Sequence, residues 1–188
     1  MSLVKSKELA LGSVLREFSL SDACEKVYNS RELLGKTGLI IAVMCNHCPY
    51  SNAIWSRLIK VAEFAKKLDV NTVAINPNIH PNYPEDSPAH MLDKQKEFGF
   101  DFPYLIDAEQ AVAHSLKATC TPEIFLFDKE AKLFYHGRVD DNWHDERSVK
   151  SEDLREALIA LFGEQKPPLP QYSSLGCSIK WLNTVLGD

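Results

Sequence analysis

Apolar and polar positions along the chain predict strands and helices in alternation. Residues 39–43 read Leu-Ile-Ile-Ala-Val, an unbroken apolar run that is typical of a strand buried on both faces. A helical pattern follows, because Ile54, Leu58, Ala62 and Ala65 recur on one face at helical spacing. The pattern therefore predicts a buried strand that leads through a short loop into a helix.

Further strands and helices are predicted up to residue 161. Apolar runs indicate strands at 70–75, 104–106, 124–127 and 133–135. The last two are separated by the polar residues 128–132, which predicts a hairpin. Start and stop signals place helices between Ser87 and Gly99, after Asp107, and after Ser151.

This order of elements predicts an α/β fold in three layers. Strands alternating with helices, then a hairpin and a helix, favour a central mixed sheet with helices on both faces. We also expect an N-terminal β extension and an insertion between Asn76 and Gly99. The tail over 163–188 is expected to be irregular, with 174–181 folding back onto the body. Residues 1–188 are expected to form one domain, since domains usually have about 100–200 residues.

The composition is that of an ordinary folded protein, with 45% hydrophobic and 25% charged residues. A formal net charge of −5 argues against a nucleic-acid partner, because binding phosphates requires a basic face. The longest apolar run, 39–44, is too short to cross a membrane, and residues 1–12 do not resemble a signal peptide. We therefore expect a cytoplasmic protein without a membrane partner.

Two cysteines stand at the predicted junction of the buried strand and the helix. The segment reads Cys45-Asn46-His47-Cys48 and is followed by Pro49. Backbone N–H groups at a helix start stabilise a thiolate, the form of cysteine that attacks a disulfide. In the predicted reaction Cys45 attacks, and Cys48 resolves the mixed disulfide. His47 is expected to stabilise the thiolate as a cation or a hydrogen-bond donor.

Other uses of the five cysteines stay open from the residues alone. A zinc ion would need four ligands from distant segments of the chain, namely Cys45, Cys48, Cys120 and Cys177. The sequence contains no second closely spaced pair, which makes zinc the weaker interpretation. The pair could also be buried and unreactive. A non-enzymatic redox sensor or a zinc-dependent binding protein is therefore the third hypothesis.

Several segments together resemble one protein superfamily. They are 44–50 (Met-Cys-Asn-His-Cys-Pro-Tyr), 84–88 (Pro-Glu-Asp-Ser-Pro), 102–105 (Phe-Pro-Tyr-Leu), 120–123 (Cys-Thr-Pro-Glu), 137–141 (Gly-Arg-Val-Asp-Asp) and 176–181 (Gly-Cys-Ser-Ile-Lys-Trp). The chain is similar to the thioredoxin superfamily and, within it, to peroxiredoxin-like proteins of the redoxin (AhpC/TSA-like) class. The similarity extends from about Phe18 to Trp181. It implies a thioredoxin-like sandwich and a thiol-disulfide oxidoreductase.

The resemblance also implies roles for residues near the pair. Pro122 matches the superfamily's cis proline, which packs beside the cysteines and leaves the preceding backbone free to pair with substrate. Typical peroxiredoxins have threonine where this chain has Cys45, and their peroxidatic cysteine matches Cys48. A thiol peroxidase, which forms a sulfenic acid before a second cysteine condenses with it, is the second hypothesis. Thioredoxin itself has tryptophan where this chain has Met44.

Three further residues are candidates for the site. Cys120, close to Pro122, is either an additional redox thiol or a small buried residue. Cys177 either resolves the oxidised pair or belongs to a packed tail. Glu123 is expected to accept the proton of Cys48, the alternative being an exposed carboxylate at a strand end.

The sequence predicts no organic cofactor, because no Gly-rich phosphate loop follows a strand, and no metal site is expected. The expected substrate is a disulfide-containing protein or a small-molecule disulfide, with peroxide as the alternative. Electrons are expected to come from a thiol protein or a small thiol.

Overall fold

The computed structural model describes residues 3–7 and 9–182. The strands are β1 (Leu3–Lys5), β2 (Ser19–Asp22), β3 (Val27–Asn29), β4 (Gly38–Val43), β5 (Val70–Asn76), β6 (Tyr104–Ile106), β7 (Cys120–Thr121), β8 (Glu123–Asp128), β9 (Leu133–Gly137) and β10 (Leu175–Ser178). The helices are α1 (Ser30–Leu33), α2 (Pro49–Lys66), α3 (Pro88–Phe98), α4 (Ala111–Ser115) and α5 (Asp153–Phe162), with short 3-10 helices at Pro84–Asp86 and Glu146–Ser148. Within this described part, no helix combines the length and apolar character needed to cross a membrane.

Seven strands form the central sheet, in the order β3-β2-β6-β5-β4-β8-β9. The sheet is mixed as predicted, because β4, β5 and β6 run parallel and β8 runs antiparallel to β4. β8 and β9 form the predicted hairpin. In its turn, Oδ1 of Asp128 accepts hydrogen bonds from the N–H groups of Glu130 and Lys132, both at 2.9 Å.

Strand β4 is buried on both faces, as its apolar run predicts. Ile40 and Ala42 belong to a core that includes residues of α2 and α5. Leu39 and Ile41 point to the opposite face and join a core with residues of α1 and α4. Full burial of one such aliphatic side chain contributes roughly 1.5–3 kcal/mol. The three-layer sandwich is confirmed, and strand β4, buried along its whole length, ends two residues before Cys45.

The tail contains a strand that its sequence did not predict. β10 pairs antiparallel with β1 on one side and with β7 on the other, forming a second, three-stranded sheet. The expectation of an irregular tail over 163–188 is therefore wrong for Leu175–Ser178, and the expected return of 174–181 to the body is confirmed. The strand was missed because Leu-Gly-Cys-Ser has no apolar alternation. The end of the predicted tail, 183–188, lies outside the described residues.

The N-terminal β extension is confirmed in two parts. β1 joins the tail sheet through β10. β2 and β3 form a hairpin that is added to the main sheet through β6. The extension therefore covers one edge of the main sheet and also supports the tail.

Two helices start differently from the prediction. α5 begins at Asp153, and the hydroxyl of Ser151 does not cap it but donates to Oδ1 of that residue at 2.9 Å. α4 begins at Ala111, some distance after Asp107. The carboxylate of Asp107 nevertheless accepts two backbone N–H groups of that helix, at 3.2 and 2.8 Å. Asp107 therefore still caps the start of α4, although it lies several residues before the helix.

Candidate active site

The two cysteines of the CxxC segment lie where β4 ends and α2 begins. Cys45 follows the strand closely, and Cys48 immediately precedes the first residue of the helix. Pro49 occupies the first helical position, where its missing N–H costs little. Cys45 and Cys48 are both fully buried. The pair is therefore at the predicted helix start, but it is covered.

Cys48 is surrounded by hydrogen-bond donors that favour its thiolate. Its sulfur interacts with the thiol of Cys45, the backbone N–H of Ser51, and both the side chain and the backbone N–H of Cys177. These bonds, that from Cys45 above all, outweigh burial and lower the pKa of Cys48 to about 4. When protonated, Cys48 can instead donate to the carbonyl oxygen of Thr121, 3.1 Å away. This contact acts in the opposite direction to the donors, because only the protonated sulfur can donate to it.

Cys45 has the opposite surroundings. Burial raises the pKa of Cys45 well above the usual value, and the hydrogen bond with Cys48 and the charge of Asp86 raise it further. The hydroxyl of Thr121, 3.0 Å from the sulfur, lowers it by less. The sequence prediction made Cys45 the attacking thiol. That role stays a prediction, and the contacts lower the pKa of Cys48 while they raise that of Cys45.

The contacts of His47 fix the loop between the cysteines. Its Nδ1 is bonded to Oδ2 of Asp86, and its ring stacks on that of Tyr83 with centroids 4.6 Å apart. Oδ1 of Asp86 accepts the backbone N–H of Asn46 at 2.5 Å and the side-chain amide of Asn76 at 3.0 Å. The hydrogen bond that the structure describes for His47 is thus made with a carboxylate. The expected role of His47 in stabilising the thiolate stays a prediction.

Asp86 is the site residue that the sequence did not reveal. It ends the 3-10 helix Pro84–Asp86, within the predicted insertion 76–99, and is fully buried beside the CxxC loop. The Pro-Glu-Asp-Ser-Pro segment was a signal of family resemblance only, since nothing in it shows that the insertion returns to the cysteines. The structure assigns this carboxylate two effects, because it fixes the loop and helps to keep Cys45 protonated.

The peptide bond between Thr121 and Pro122 is cis, as the resemblance implies. Thr121 touches both cysteines, through its hydroxyl to Cys45 and its carbonyl oxygen to Cys48. The resemblance also implies that the backbone before Pro122 is free to pair with substrate. This expectation is wrong for this structure, because β7 is already paired with β10. In that pairing Cys177 lies opposite Thr121.

Glu123 is fully buried, so the alternative of an exposed carboxylate is wrong. Its Oε2 accepts the backbone N–H groups of Thr119 and Cys120, at 2.8 and 3.1 Å, and lies 3.5 Å from the sulfur of Cys120. Its Oε1 is 2.7 Å from Nε2 of His136. Burial and this carboxylate raise the pKa of Cys120, which favours its reading as a buried, protonated residue. Proton transfer from Cys48 to Glu123 stays a prediction.

Some of these side chains are also possible metal ligands. One donor atom each of Cys45, His47 and Asp86 lie within 4.8 Å of one another. The four-cysteine zinc interpretation is less favoured by the contacts. Cys45, Cys48 and Cys177 share a cluster, while the thiol of Cys120 faces the buried carboxylate.

An aromatic pair and a buried ion pair border the site. Tyr50 packs against the cysteines, and its ring centroid lies 4.2 Å from that of Trp143. Arg57 of α2 donates to both carboxylate oxygens of Asp140, at 2.8 and 2.7 Å, and to the carbonyl oxygens of Asn142 and Trp143. Arg57 therefore ties this loop to the helix that begins after the cysteines.

Replacing Arg57 with methionine is expected to lower the free energy of unfolding by about 3–5 kcal/mol, because it leaves the carboxylate of Asp140 buried without its cation. Urea denaturation measures the effect. Lys66→Met is the matched control, because Lys66 and its partner Asp101 are both exposed, and its urea midpoint is expected to stay unchanged. Equal losses in the two variants would contradict a special role for the buried pair.

Comparison with known proteins decides the family. The redoxin family model matches residues 10–154. The chain belongs to the redoxin family. Membership supports a thiol-based redox function and an oxidoreductase in general terms. Proteins of curated function gave no match to this redoxin.

Solved structures agree with this placement. This redoxin is similar to an uncharacterized conserved protein from Geobacillus kaustophilus, with 35% identity, a TM-score of 0.92 and 98% of each chain covered. A hypothetical protein from Sinorhizobium meliloti is 34% identical, with a TM-score of 0.90 over 95% of this chain and 98% of that one. Peroxidoxin BcpB from Mycobacterium tuberculosis is 15% identical, with a TM-score of 0.62 over 85% and 100%. This last likeness shows the thioredoxin-like fold alone.

Proposed function

We propose that this redoxin is a thiol-disulfide oxidoreductase in which Cys48 attacks and Cys45 resolves. The observation that carries the proposal is the position of Cys48 directly before the first residue of α2, where hydrogen bonds to its sulfur lower its pKa, whereas burial and the charge of Asp86 raise the pKa of Cys45. An ionised sulfur at a helix start is the nucleophile that disulfide exchange needs. The protonated neighbour is the resolving group.

The two cysteines supply both electrons that reduce the substrate disulfide. The Cys48 thiolate attacks one sulfur of a substrate disulfide, forms a mixed disulfide and releases the other half as a thiolate, which takes a proton from water. Cys45 then attacks the sulfur of Cys48, and its proton goes to the second released half. The substrate gains two electrons, and the protein is left with a Cys45–Cys48 disulfide. A thiol protein or a small thiol reverses the oxidation.

The burial of both cysteines favours a second candidate function, a thiol peroxidase. With Cys45 and Cys48 fully covered, a small oxidant such as hydrogen peroxide reaches them more easily than a protein disulfide does. Attack by the Cys48 thiolate on one peroxide oxygen gives a sulfenic acid and hydroxide. Condensation with the Cys45 thiol releases water and gives the same disulfide.

A cavity that the cis proline Pro122 helps to line is the proposed place for the non-reacting part of a disulfide substrate. It has a volume of about 430 Å³ and is lined in part by Pro122, Ile54, Trp143 and Arg138. Its lining combines apolar side chains with two cations, Lys5 and Arg138, and two carboxylates, Asp140 and Asp141, which suits a small disulfide or a short peptide better than a nucleic acid. The cytoplasmic location and the electron-donating thiol partner stay predictions.

The test is to mix the fully reduced protein, in parallel, with oxidised glutathione and with hydrogen peroxide in rapid-quench experiments. Formation of Cys45–Cys48 is followed by mass spectrometry. Fast reaction with the disulfide and slow reaction with peroxide supports the oxidoreductase, and the opposite ratio supports the peroxidase. Reaction with neither contradicts both and leaves the sensor or zinc hypothesis. Cys24→Ser is the control, because Cys24 is exposed and would react on its own.

A further inference from the structure

The tail strand β10 brings a third cysteine to the redox pair. Cys177 lies opposite Thr121 in the pairing of β10 with β7, and Thr121 is the residue that touches both active cysteines. Cys45, Cys48 and Cys177 form one buried cluster. The side chain and the backbone N–H of Cys177 both hydrogen-bond to the sulfur of Cys48. The chain's own tail thus occupies the strand edge that the resemblance implied for a substrate.

Contacts on both sides of Cys177 fix its position. On one side Gly176 lies so close to the carbonyl oxygen of Thr121 that a side chain would overlap it. On the other side the carbonyl oxygen of Lys180 accepts a hydrogen bond from the side chain of Gln110, at 2.9 Å. Gln110 is buried and has a φ of 59°, a left-handed conformation that is uncommon outside glycine. The tail is therefore held in register with the site.

We propose that β10 is an internal substrate strand and that Cys177 is a third redox-active thiol, which exchanges with the Cys45–Cys48 disulfide at the sulfur of Cys48. The Cys48–Cys177 bond forms while the Cys45–Cys48 bond breaks. Cys45 leaves as a thiolate and takes up the proton that Cys177 loses. One disulfide replaces another, so the step needs no further oxidant. It rests on the proposed function, which supplies the first disulfide.

The charges in the cluster favour this exchange after Cys48 is oxidised. In the reduced state the pKa of Cys177 is raised to about 12, first by burial and then by the hydrogen bond with Cys48 and the negative charge of Cys48. Oxidation of Cys48 removes that charge, while the ammonium group of Lys180 continues to favour ionisation of Cys177. Burial and the charge of Asp86 raise the pKa of Cys45, so the Cys45 thiolate that the exchange releases is readily protonated. The exchange moves the disulfide from the deeper thiol to the tail.

The step has a consequence for the electron donor. In the exchanged state β10 is covalently joined to the start of α2, and the donor must reduce a bond to the tail rather than a bond within the CxxC segment. The two forms differ in the cysteine that remains reduced and can be alkylated. In the exchanged form, which holds the Cys48–Cys177 disulfide, this cysteine is Cys45. In the Cys45–Cys48 form it is Cys177.

The test uses the full chain in glutathione buffers of increasing oxidised fraction, with acid quench, alkylation and peptide mapping. In the Cys45→Ser variant we expect Cys48–Cys177 to exceed the Cys48–glutathione mixed disulfide at least tenfold. The wild type should contain both Cys45–Cys48 and Cys48–Cys177, and Cys177→Ser should contain only the first. Cys24→Ser, which alters an exposed thiol, should match the wild type.

Accumulation of the mixed disulfide in Cys45→Ser, with Cys177 fully alkylated, would overturn the proposal. If that variant does not fold, the wild type decides, because absence of Cys48–Cys177 at every glutathione ratio is equally decisive. The two failures are distinguishable. A wild type that forms Cys45–Cys48 but never Cys48–Cys177 contradicts only the internal exchange, whereas a wild type in which Cys48 stays reduced with disulfide and peroxide contradicts the proposed function as well.

Discussion

Cys48→Ser is expected to lower the rate of oxidation by disulfide or peroxide by at least about a thousandfold, because the attacking thiolate is lost. Cys45→Ser is expected to keep the first step within about tenfold. Losing the hydrogen bond from Cys45 raises the pKa of Cys48, but the hydrogen bonds from Ser51 and Cys177 remain and continue to lower it. Rapid-quench alkylation and mass spectrometry measure the first adduct in both variants.

The pH dependence of the same step separates the two assignments. A cysteine with a pKa of about 4 has a constant thiolate fraction above about pH 6, so the rate is expected to be flat from about pH 6 to 9. If Cys45 attacked, its raised pKa would make the rate climb about tenfold per pH unit over this range. Cys24→Ser should follow the wild type. A climbing rate, together with an inactive Cys45→Ser, would return the attacking role to Cys45.

The sequence predicted the scaffold of the site because that scaffold depends on local patterns. The apolar run of β4 is long enough to require burial on both faces, and the helical spacing of Ile54 and Leu58 places α2 directly after it. Both signals lie within a few residues of the cysteines. The location of the pair at a strand-to-helix junction, and the cis bond before Pro122, therefore followed from the sequence and its resemblance.

The roles of the two cysteines could not be predicted in the same way. They depend on groups from distant segments, since Asp86 comes from the insertion and Cys177 comes from the tail. A CxxC segment alone gives both thiols the same helix start, and which one ionises depends on the donors and charges that the fold brings to each. The strand that carries Cys177 has no apolar alternation, so its pairing with β7 became visible only in the structure.

Gly176→Ala is expected to separate the tail from the site and to speed alkylation of Cys48 by iodoacetamide at least about tenfold. Gly176 lies in the middle strand of the tail sheet, opposite Val4 of β1, and a Cβ there would overlap the carbonyl oxygen of Thr121. The nearest atoms belong to backbone, so they cannot move aside as a flexible side chain would, and such overpacking typically costs about 1–3 kcal/mol. Detaching β10 relieves the overlap and uncovers Cys48.

If the tail both covers Cys48 and stabilises its thiolate, the accessibility and the pKa of Cys48 must change together in Gly176→Ala. Alkylation of Cys48 at several pH values gives both its accessibility and its pKa, and the pKa is expected to rise because both hydrogen bonds from Cys177 are lost. Gly163→Ala is the matched control, since Gly163 has no positive φ and its closest neighbour would be 3.3 Å from a Cβ. Unchanged protection of Cys48 in Gly176→Ala would show that the tail neither covers the thiolate nor stabilises it. Faster alkylation without a rise in pKa would show that the tail only covers the site, and the stabilisation of the thiolate would then have to come from Cys45 and the start of α2 alone.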